Sequence, residues 1–248
     1  MNIGQDMGVQ SFCFRHFKDN ARTAALVREC GLARIEICGV QVDFQDTASF
    51  DSAIGAYRDA GVEIVSIGVN TLAGAEGAER NLFEFLKAAG ARFMSVDFRP
   101  DAVPGSFALA EKLAEEYDVR LAIHNHGGRH WLGSAQALEW VFAQTSPRVG
   151  LCLDTAWALH SHEDPIAMVE RFGPRLYGVH IKDFTFDSAG RHSDVVVGTG
   201  NLDLARLAGA MDAAGFDGYV VLEYEADVEN PVPPLQRCVE AVRAIGST

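Results

Sequence analysis

The sequence lacks the features that mark membrane and secreted proteins. It contains no apolar run near the roughly 18 residues that a membrane-spanning helix requires. Its first ten residues, MNIGQDMGVQ, contain neither a basic stretch nor the apolar segment of a signal peptide. We therefore expect no membrane partner and a cytoplasmic location.

Cysteines are few, and none stands in a CxxC pair. The five are far apart in segments that otherwise look buried: Cys13, Cys30, Cys38, Cys152 and Cys238. A zinc site or a disulfide framework needs closer or more regular spacing. We expect reduced thiols that pack in the core as small hydrophobic side chains.

Basic residues are also scarce relative to acidic ones. The chain has 21 Lys and Arg against 34 Asp and Glu, which gives a formal net charge of −13. A field of this sign repels phosphate backbones and anionic surfaces. Nucleic acid is therefore not an expected partner.

What the sequence does contain is typical of one globular α/β domain. The chain has 248 residues, of which 48% are hydrophobic and 22% charged, and no linker or low-complexity tract interrupts it. Barrels of alternating strands and helices are commonly about this long. We predict a single domain over residues 1–248.

Short β-branched or apolar runs alternate with stretches of helical period along the whole chain. The predicted strands are Met7–Phe14, Ala33–Ile37, Val62–Ile67, Phe93–Asp97, Arg120–Ile123, Val149–Leu153, Leu176–Ile181 and Tyr219–Glu223. The predicted helices cover residues 19–30, 47–60, 75–89, 105–117, 134–145, 163–172, 202–214 and 234–245.

Glycines mark where several of these helices should end. Gly31, Gly61, Gly90 and Gly215 each follow a predicted helix, at the position where a left-handed cap is common. Eight strand and helix units favour a closed (β/α)8 TIM barrel over an open doubly wound sheet, which normally has a glycine-rich phosphate loop after its first strand. Here that loop reads Phe14-Arg15-His16-Phe17.

Barrel enzymes build their sites where the strands end, at the C-terminal rim. The fifth to eighth predicted strands end at or near His124, Asp154, His180 and Glu223. Side chains two residues apart on a strand share a face, so one register brings these four inward together. We predict that they hold a divalent metal, although His126 competes with His124 as the ligand.

Mixed nitrogen and oxygen ligands indicate the kind of metal. Such a set suits Mn²⁺, Co²⁺, Fe²⁺ or Zn²⁺ better than the all-oxygen preference of Mg²⁺ or Ca²⁺. We favour Mn²⁺. Four protein ligands leave open positions where neighbouring oxygens of a sugar could bind, which would acidify a hydroxyl and polarise a carbonyl.

Other polar or aromatic residues at the rim are candidates for substrate binding. Glu36 and Asp97 end the second and fourth predicted strands, and Arg15 and Trp157 lie in rim loops. Gly198-Thr199-Gly200 has two interpretations, a turn into the next helix and a phosphate-binding loop. The turn is the simpler interpretation, and phosphorylation of the substrate stays open.

The motifs resemble those of the sugar phosphate isomerase/epimerase superfamily, the xylose isomerase-like TIM barrels. The resemblance covers the whole chain, and its carriers are Val9-Gln10-Ser11-Phe12, Ile35-Glu36-Ile37, Ile123-His124-Asn125-His126-Gly127-Gly128, Leu153-Asp154-Thr155, His180-Ile181-Lys182-Asp183, Gly198-Thr199-Gly200-Asn201-Leu202-Asp203 and Leu222-Glu223. His-Asn-His on the fifth strand is similar to one branch of the superfamily. Other branches, the ketose 3-epimerases among them, have a glutamate where His124 stands.

The resemblance implies an isomerase or epimerase that removes a proton next to the carbonyl of a sugar or keto-sugar. It implies the same four metal ligands, and the missing glutamate leaves proton transfer to Glu223, His126 and Lys182. A lyase or dehydratase acting on a keto-inositol or 3-keto-glycoside is the main alternative, and a sugar-binding barrel without activity is the other. Barrels of this superfamily often form homodimers or homotetramers.

Overall fold

The computed structural model describes residues 3–245, so the predicted domain 1–248 extends beyond the described residues at both ends. Eight parallel strands close into a barrel, as predicted: β1 (Gly8–Gln10), β2 (Arg34–Ile37), β3 (Glu63–Leu72), β4 (Phe93–Phe98), β5 (Arg120–His124), β6 (Val149–Asp154), β7 (Leu176–Ile181) and β10 (Tyr219–Leu222). Their order around the barrel is β1-β10-β7-β6-β5-β4-β3-β2. A separate antiparallel hairpin pairs β8 (Asp183–Phe186) with β9 (His192–Val195).

Helices connect the strands. They are α1 (Ile3–Asp6), α2 (Asn20–Glu29), α3 (Phe50–Asp59), α4 (Glu76–Ala89), α5 (Gly105–Tyr117), α6 (Ala135–Phe142), α7 (Thr155–His160), α8 (Pro165–Phe172), α9 (Leu204–Ala213) and α10 (Val232–Ile245). No helix between Ile3 and Ile245 combines the length and the apolar character that crossing a bilayer requires.

Side-chain caps and glycines fix several helix ends. The Asp19 side chain accepts a hydrogen bond from the backbone of α2, and Ser134 and Asp203 do the same for α6 and α9. The four glycines predicted to end helices all have positive φ, between 64° and 76°.

The large core lies between the strands and the surrounding helices, and a smaller cluster fills the inside of the barrel. Tyr177 and Tyr219 belong to this inner cluster, and glycines make room for their rings. A Cβ on Gly150 would lie 2.4 Å from the Tyr177 ring, and one on Gly178 would lie 2.5 Å from the Tyr219 ring. The lower barrel is therefore closed by aromatic side chains, and the polar site lies above them.

Three local features differ from the sequence prediction. The first strand ends at Gln10, because residues Ser11–Phe14 form a 3-10 turn. The short helix α7 follows β6 directly, and the β8–β9 hairpin has no counterpart among the predicted elements. The five cysteines are free and buried, as expected.

Candidate metal centre

Four side chains at the ends of β5, β6, β7 and β10 converge at the rim of the barrel. His124, Asp154, His180 and Glu223 each direct one potential ligand atom into a group whose members lie within 4.8 Å of one another. Strand register explains the meeting, since His124 pairs with Cys152 and Asp154 pairs with His180 in neighbouring strands. The structure thus brings together the four residues that the sequence indicated as ligands.

The distances within this group are short. His124 Nε2 lies 3.1 Å from His180 Nδ1 and 3.5 Å from Asp154 Oδ2. Glu223 Oε2 lies 2.7 Å from His180 Nδ1 and 3.9 Å from His124 Nε2. Two nitrogens and two oxygens therefore surround one small volume.

The donor set fits a divalent metal. All four residues are buried, and Asp154 Oδ2 has no hydrogen-bond partner among the described residues. A buried carboxylate oxygen without a partner is costly unless a cation balances it. Asp154 Oδ1 accepts from the backbone of Trp157 at 2.8 Å, which leaves Oδ2 directed at the imidazoles. Imidazole and carboxylate together are ordinary ligands of divalent transition metals.

Glu36 lies behind His180, away from solvent. Its Oε1 is 3.0 Å from His180 Nε2, and it accepts hydrogen bonds from Gln10 Nε2 at 2.5 Å and Ser95 Oγ at 2.9 Å. Glu36 is fully buried. Burial alone would raise its pKa, but the adjacent His180 outweighs burial and lowers it. Glu36 is not part of the cavity wall described below, and its predicted contact with substrate stays a prediction.

Lys182 is a buried cation beside the same group. Its Nζ forms an ion pair with Glu225 and lies 3.9 Å from Glu223 Oε1. Burial alone would lower the pKa of Lys182, but the charges of Glu223, Asp154 and Glu225 raise it above its usual range. Burial in turn would raise the pKa of Glu223, and Lys182 lowers it. The ammonium and the carboxylate therefore stabilise each other's charged form.

A cavity of about 440 Å³ opens over these residues. His124, Glu223 and Glu225 form part of its wall, together with His126 and Trp157. His126 lies outside the group of four, with its ring centroid 4.5 Å from that of His124. Burial, reinforced by His124 and His130, lowers the pKa of His126 to about 3, which makes it a neutral imidazole at physiological pH.

Arg15 and Asp97 lie near the cavity but do not line it. Arg15 donates hydrogen bonds to the backbone oxygens of Phe12 and Glu225, which are wall residues. Asp97 Oδ2 lies 3.3 Å from His130 Nε2. Neither Arg15 nor Asp97 forms part of the cavity wall. Their predicted contact with substrate stays a prediction.

Two acidic residues beside the site were not singled out by sequence reasoning. Asp194 on β9 is mostly buried, and burial raises its pKa to about 7 although Lys182 opposes the shift. Asp183 at the start of β8 is fully buried and binds the loop that precedes α9. The HIKD segment was visible in the sequence, but the partner of its aspartate depends on a hairpin that we did not predict.

Comparisons with known proteins point to sugar-modifying relatives. An inosose dehydratase from Lacticaseibacillus casei is 25% identical over 150 residues, which cover 54% of this chain and 50% of that protein. The chain spans about half the length of the curated relatives that it matches.

Solved structures share the fold over nearly the whole chain. The 3-keto-D-glucoside 4-epimerase YcjR from E. coli is 16% identical and matches 97% of this chain and 99% of its own, with a TM-score of 0.73. The IOLI protein, solved with a bound zinc atom, is 17% identical and matches 96% of this chain and 98% of its own, with a TM-score of 0.75.

The family model for xylose isomerase-like TIM barrels matches residues 24–245. This span includes seven of the eight barrel strands and all four converging side chains. The chain belongs to the xylose isomerase-like TIM barrel family.

Proposed function

We propose that this chain is a divalent-metal-dependent isomerase or epimerase that removes and returns a proton next to the carbonyl of a sugar or keto-sugar. One observation carries the proposal: His124, Asp154, His180 and Glu223 converge at a cavity whose wall includes His124 and Glu223, and Lys182 lies beside the group. A bound divalent ion polarises a carbonyl and acidifies a neighbouring hydroxyl. We propose Mn²⁺, with the zinc of the IOLI protein making Zn²⁺ the first alternative.

The positions of the side chains around the cavity suggest a catalytic role for each of them. Glu223 has one oxygen, Oε2, among the ligand atoms, while Oε1 lies 3.9 Å from Lys182 Nζ. We assign Glu223 as the base that takes the proton from the substrate carbon. Lys182 is buried and paired with Glu225, so its ammonium would stabilise developing negative charge on the substrate oxygen through its electric field and without direct contact.

His126 is the third group that we assign to proton transfer. Its ring forms part of the wall, and its Nδ1 has no hydrogen-bond partner among residues 3–245. His126 starts as a neutral imidazole, and negative charge that develops on a substrate oxygen beside it would raise its pKa, so that it could carry a proton between substrate oxygens. Trp157 also lines the cavity, where its ring offers an apolar face to the carbon side of a sugar.

Elimination is the second candidate reaction. His124 stands where a second acid/base carboxylate would be needed for proton transfer on both faces of a carbon, and the curated relative from Lacticaseibacillus casei is named a dehydratase. With one base, removal of the proton followed by loss of a leaving group is as accessible as reprotonation. Both reactions begin with the same proton abstraction. The His-Asn-His branch that we predicted from the sequence fits either.

Isotope exchange tests the shared step and then separates the two reactions. The Mn²⁺-loaded protein is incubated in D₂O with keto-inositols, 3-keto-glucosides and simple ketoses, and carbon-bound deuterium is followed by NMR. Deuterium incorporation into a substrate or an isomer supports the isomerase, and an unsaturated product supports the lyase. A sugar that binds with no exchange in any member of the panel would leave only the binding-protein interpretation.

A further inference from the structure

Barrels commonly bind phosphate with backbone amides after the seventh and eighth strands. In this chain, backbone amides after the seventh barrel strand already donate hydrogen bonds to an anion, the carboxylate of Asp183. Asp183 Oδ2 accepts from Gly198 N at 3.0 Å and Gly200 N at 2.8 Å, and Oδ1 accepts from Asn201 N and Leu202 N at 2.8 and 2.9 Å. The carboxylate therefore occupies the place that a phosphate would take.

The same arrangement recurs at other strand ends of the rim. After β3, Glu79 Oε1 accepts from three consecutive amides, those of Ala73, Gly74 and Ala75, at 2.7 to 2.9 Å. After β6, Asp154 Oδ1 accepts from the amide of Trp157. At these three junctions, carboxylates of the protein accept hydrogen bonds from backbone amides of the kind that bind anions in other proteins.

Cationic side chains are not available to an anion either. Among the described residues, the wall of the cavity contains no Arg or Lys, and it includes the carboxylates of Glu223 and Glu225. Lys182 is 1% exposed and paired with Glu225, and Arg15 donates to two backbone oxygens. A phosphate in this cavity would meet carboxylates without a free cationic partner.

A bound metal does not reverse this balance. Glu36, Asp154, Glu223 and Glu225 carry four negative charges in the site, and Lys182 carries one positive charge. A divalent ion adds two positive charges, so one negative charge remains. An entering dianion is repelled, whereas a neutral polyol is not.

We infer that this site takes uncharged sugars or cyclic polyol ketones and rejects their phosphate esters. The inference rests on the proposed function for the identity of the site, and it adds the charge class of the substrate. The family fold alone does not supply it, because a sugar phosphate isomerase/epimerase from Parabacteroides distasonis has the same fold at 18% identity and a TM-score of 0.75.

Binding of matched pairs tests the inference. Mn²⁺-loaded protein without excess metal is titrated by calorimetry with D-fructose against D-fructose 6-phosphate, and with D-ribulose against D-ribulose 5-phosphate. We expect the neutral member of a pair to bind at least about tenfold more tightly, and this ratio to shrink as salt rises from 0.05 to 0.5 M, because screening weakens the repulsion. A phosphate ester that binds as tightly as its neutral partner, or more tightly, overturns the inference.

Two variants test whether the preference for neutral sugars comes from the charge of the cavity wall. Glu225→Gln removes a carboxylate from the cavity wall and should reduce the ratio, while Glu229→Gln, on the same loop but exposed, should leave it unchanged. An unchanged ratio in Glu225→Gln contradicts the assignment to the cavity.

Deuterium exchange on the same pairs keeps the two proposals apart. If the neutral sugars bind tightly but no sugar exchanges deuterium, the proposed reaction is overturned and the inference of an uncharged substrate is supported. Exchange that is faster with the phosphate esters supports the reaction and overturns the charge class. If neither member of any pair binds up to 100 mM, the charge class is also overturned.

Discussion

The carboxylate of Glu36 lies directly behind the imidazole of His180, with Oε1 3.0 Å from Nε2. Gln10 and Ser95 donate hydrogen bonds to the same carboxylate oxygen. The carboxylate at this distance favours a proton on Nε2 of His180, and Nδ1, which lies 2.7 Å from Glu223 Oε2, would then have its lone pair free for a metal. Such a partner fixes the tautomer and the orientation of a metal-binding histidine.

Glu36→Gln should weaken metal binding while the barrel stays folded. The amide keeps the size of the side chain but loses the charge that orients His180, and changes of this kind reduce affinity by about tenfold to a hundredfold. Affinity is measured by competition with a chromogenic chelator. Glu63→Gln, an exposed glutamate at the start of β3, is the control. Equal affinities in both variants would show that Glu36 does not position His180.

Lys182→Met should slow deuterium exchange by at least about a hundredfold without loss of the metal. The side chain is buried, and its ammonium is the cation beside Glu223 Oε1. The measurement pairs the exchange rate with metal content on one sample. Lys112→Met, at an exposed ion pair on α5, is the control. Exchange at the normal rate in Lys182→Met would remove this residue from the chemistry.

Asp183→Asn should lower the free energy of unfolding by about 3 kcal/mol. The amide side chain offers one oxygen to a loop in which four backbone N–H groups now donate to a buried carboxylate. Urea unfolding provides the measurement. Asp59→Asn, where the side chain is 80% exposed, should change the free energy of unfolding little. A loss for Asp183→Asn no larger than for Asp59→Asn would contradict this role.

Asp194→Asn should stabilise the metal-free protein increasingly as pH rises. Burial raises the pKa of Asp194 to about 7, above the value of 3.8 expected in the unfolded chain. The folded state therefore binds more protons between these values, and the wild type loses stability through this window. In EDTA-treated protein, the advantage of the variant should grow by about 2 kcal/mol from pH 5 to pH 8.

Chemical denaturation at the two pH values measures that difference. Asp217→Asn, an exposed position at the opposite end of the barrel, is the control for a general effect of removing a negative charge. An advantage of Asp194→Asn that is the same at pH 5 and pH 8 would refute the prediction.

The architecture was accessible from sequence because it repeats. Alternating periodicity locates the eight barrel strands, and a glycine such as Gly90 ends a helix for a local reason, its left-handed conformation. The β8–β9 hairpin was missed because it is short and half exposed. Its strands carry no long apolar period, and Asp183 is held by hydrogen bonds from a loop 15 to 19 residues further along the chain.

The meeting of the four metal-site residues was also predictable, since strand order and side-chain alternation place them at one rim. How deeply each of these residues lies below the rim could not be predicted. Glu36 ends a strand as Asp154 does, yet it lies beneath His180, because hydrogen bonds from Gln10 and Ser95 hold it there. Those bonds join β1 and β4 to β2, and no local pattern in the sequence reveals them.

The metal content of purified protein shows whether His124, Asp154, His180 and Glu223 form a metal site. Protein loaded with Mn²⁺ and then desalted is analysed by mass spectrometry for the wild type, Asp154→Ala, His180→Ala and the exposed-histidine control His16→Ala. We expect about one ion per chain in the wild type and in His16→Ala, and folded but nearly metal-free protein in the other two variants. Stoichiometric metal in both Asp154→Ala and His180→Ala would contradict this expectation.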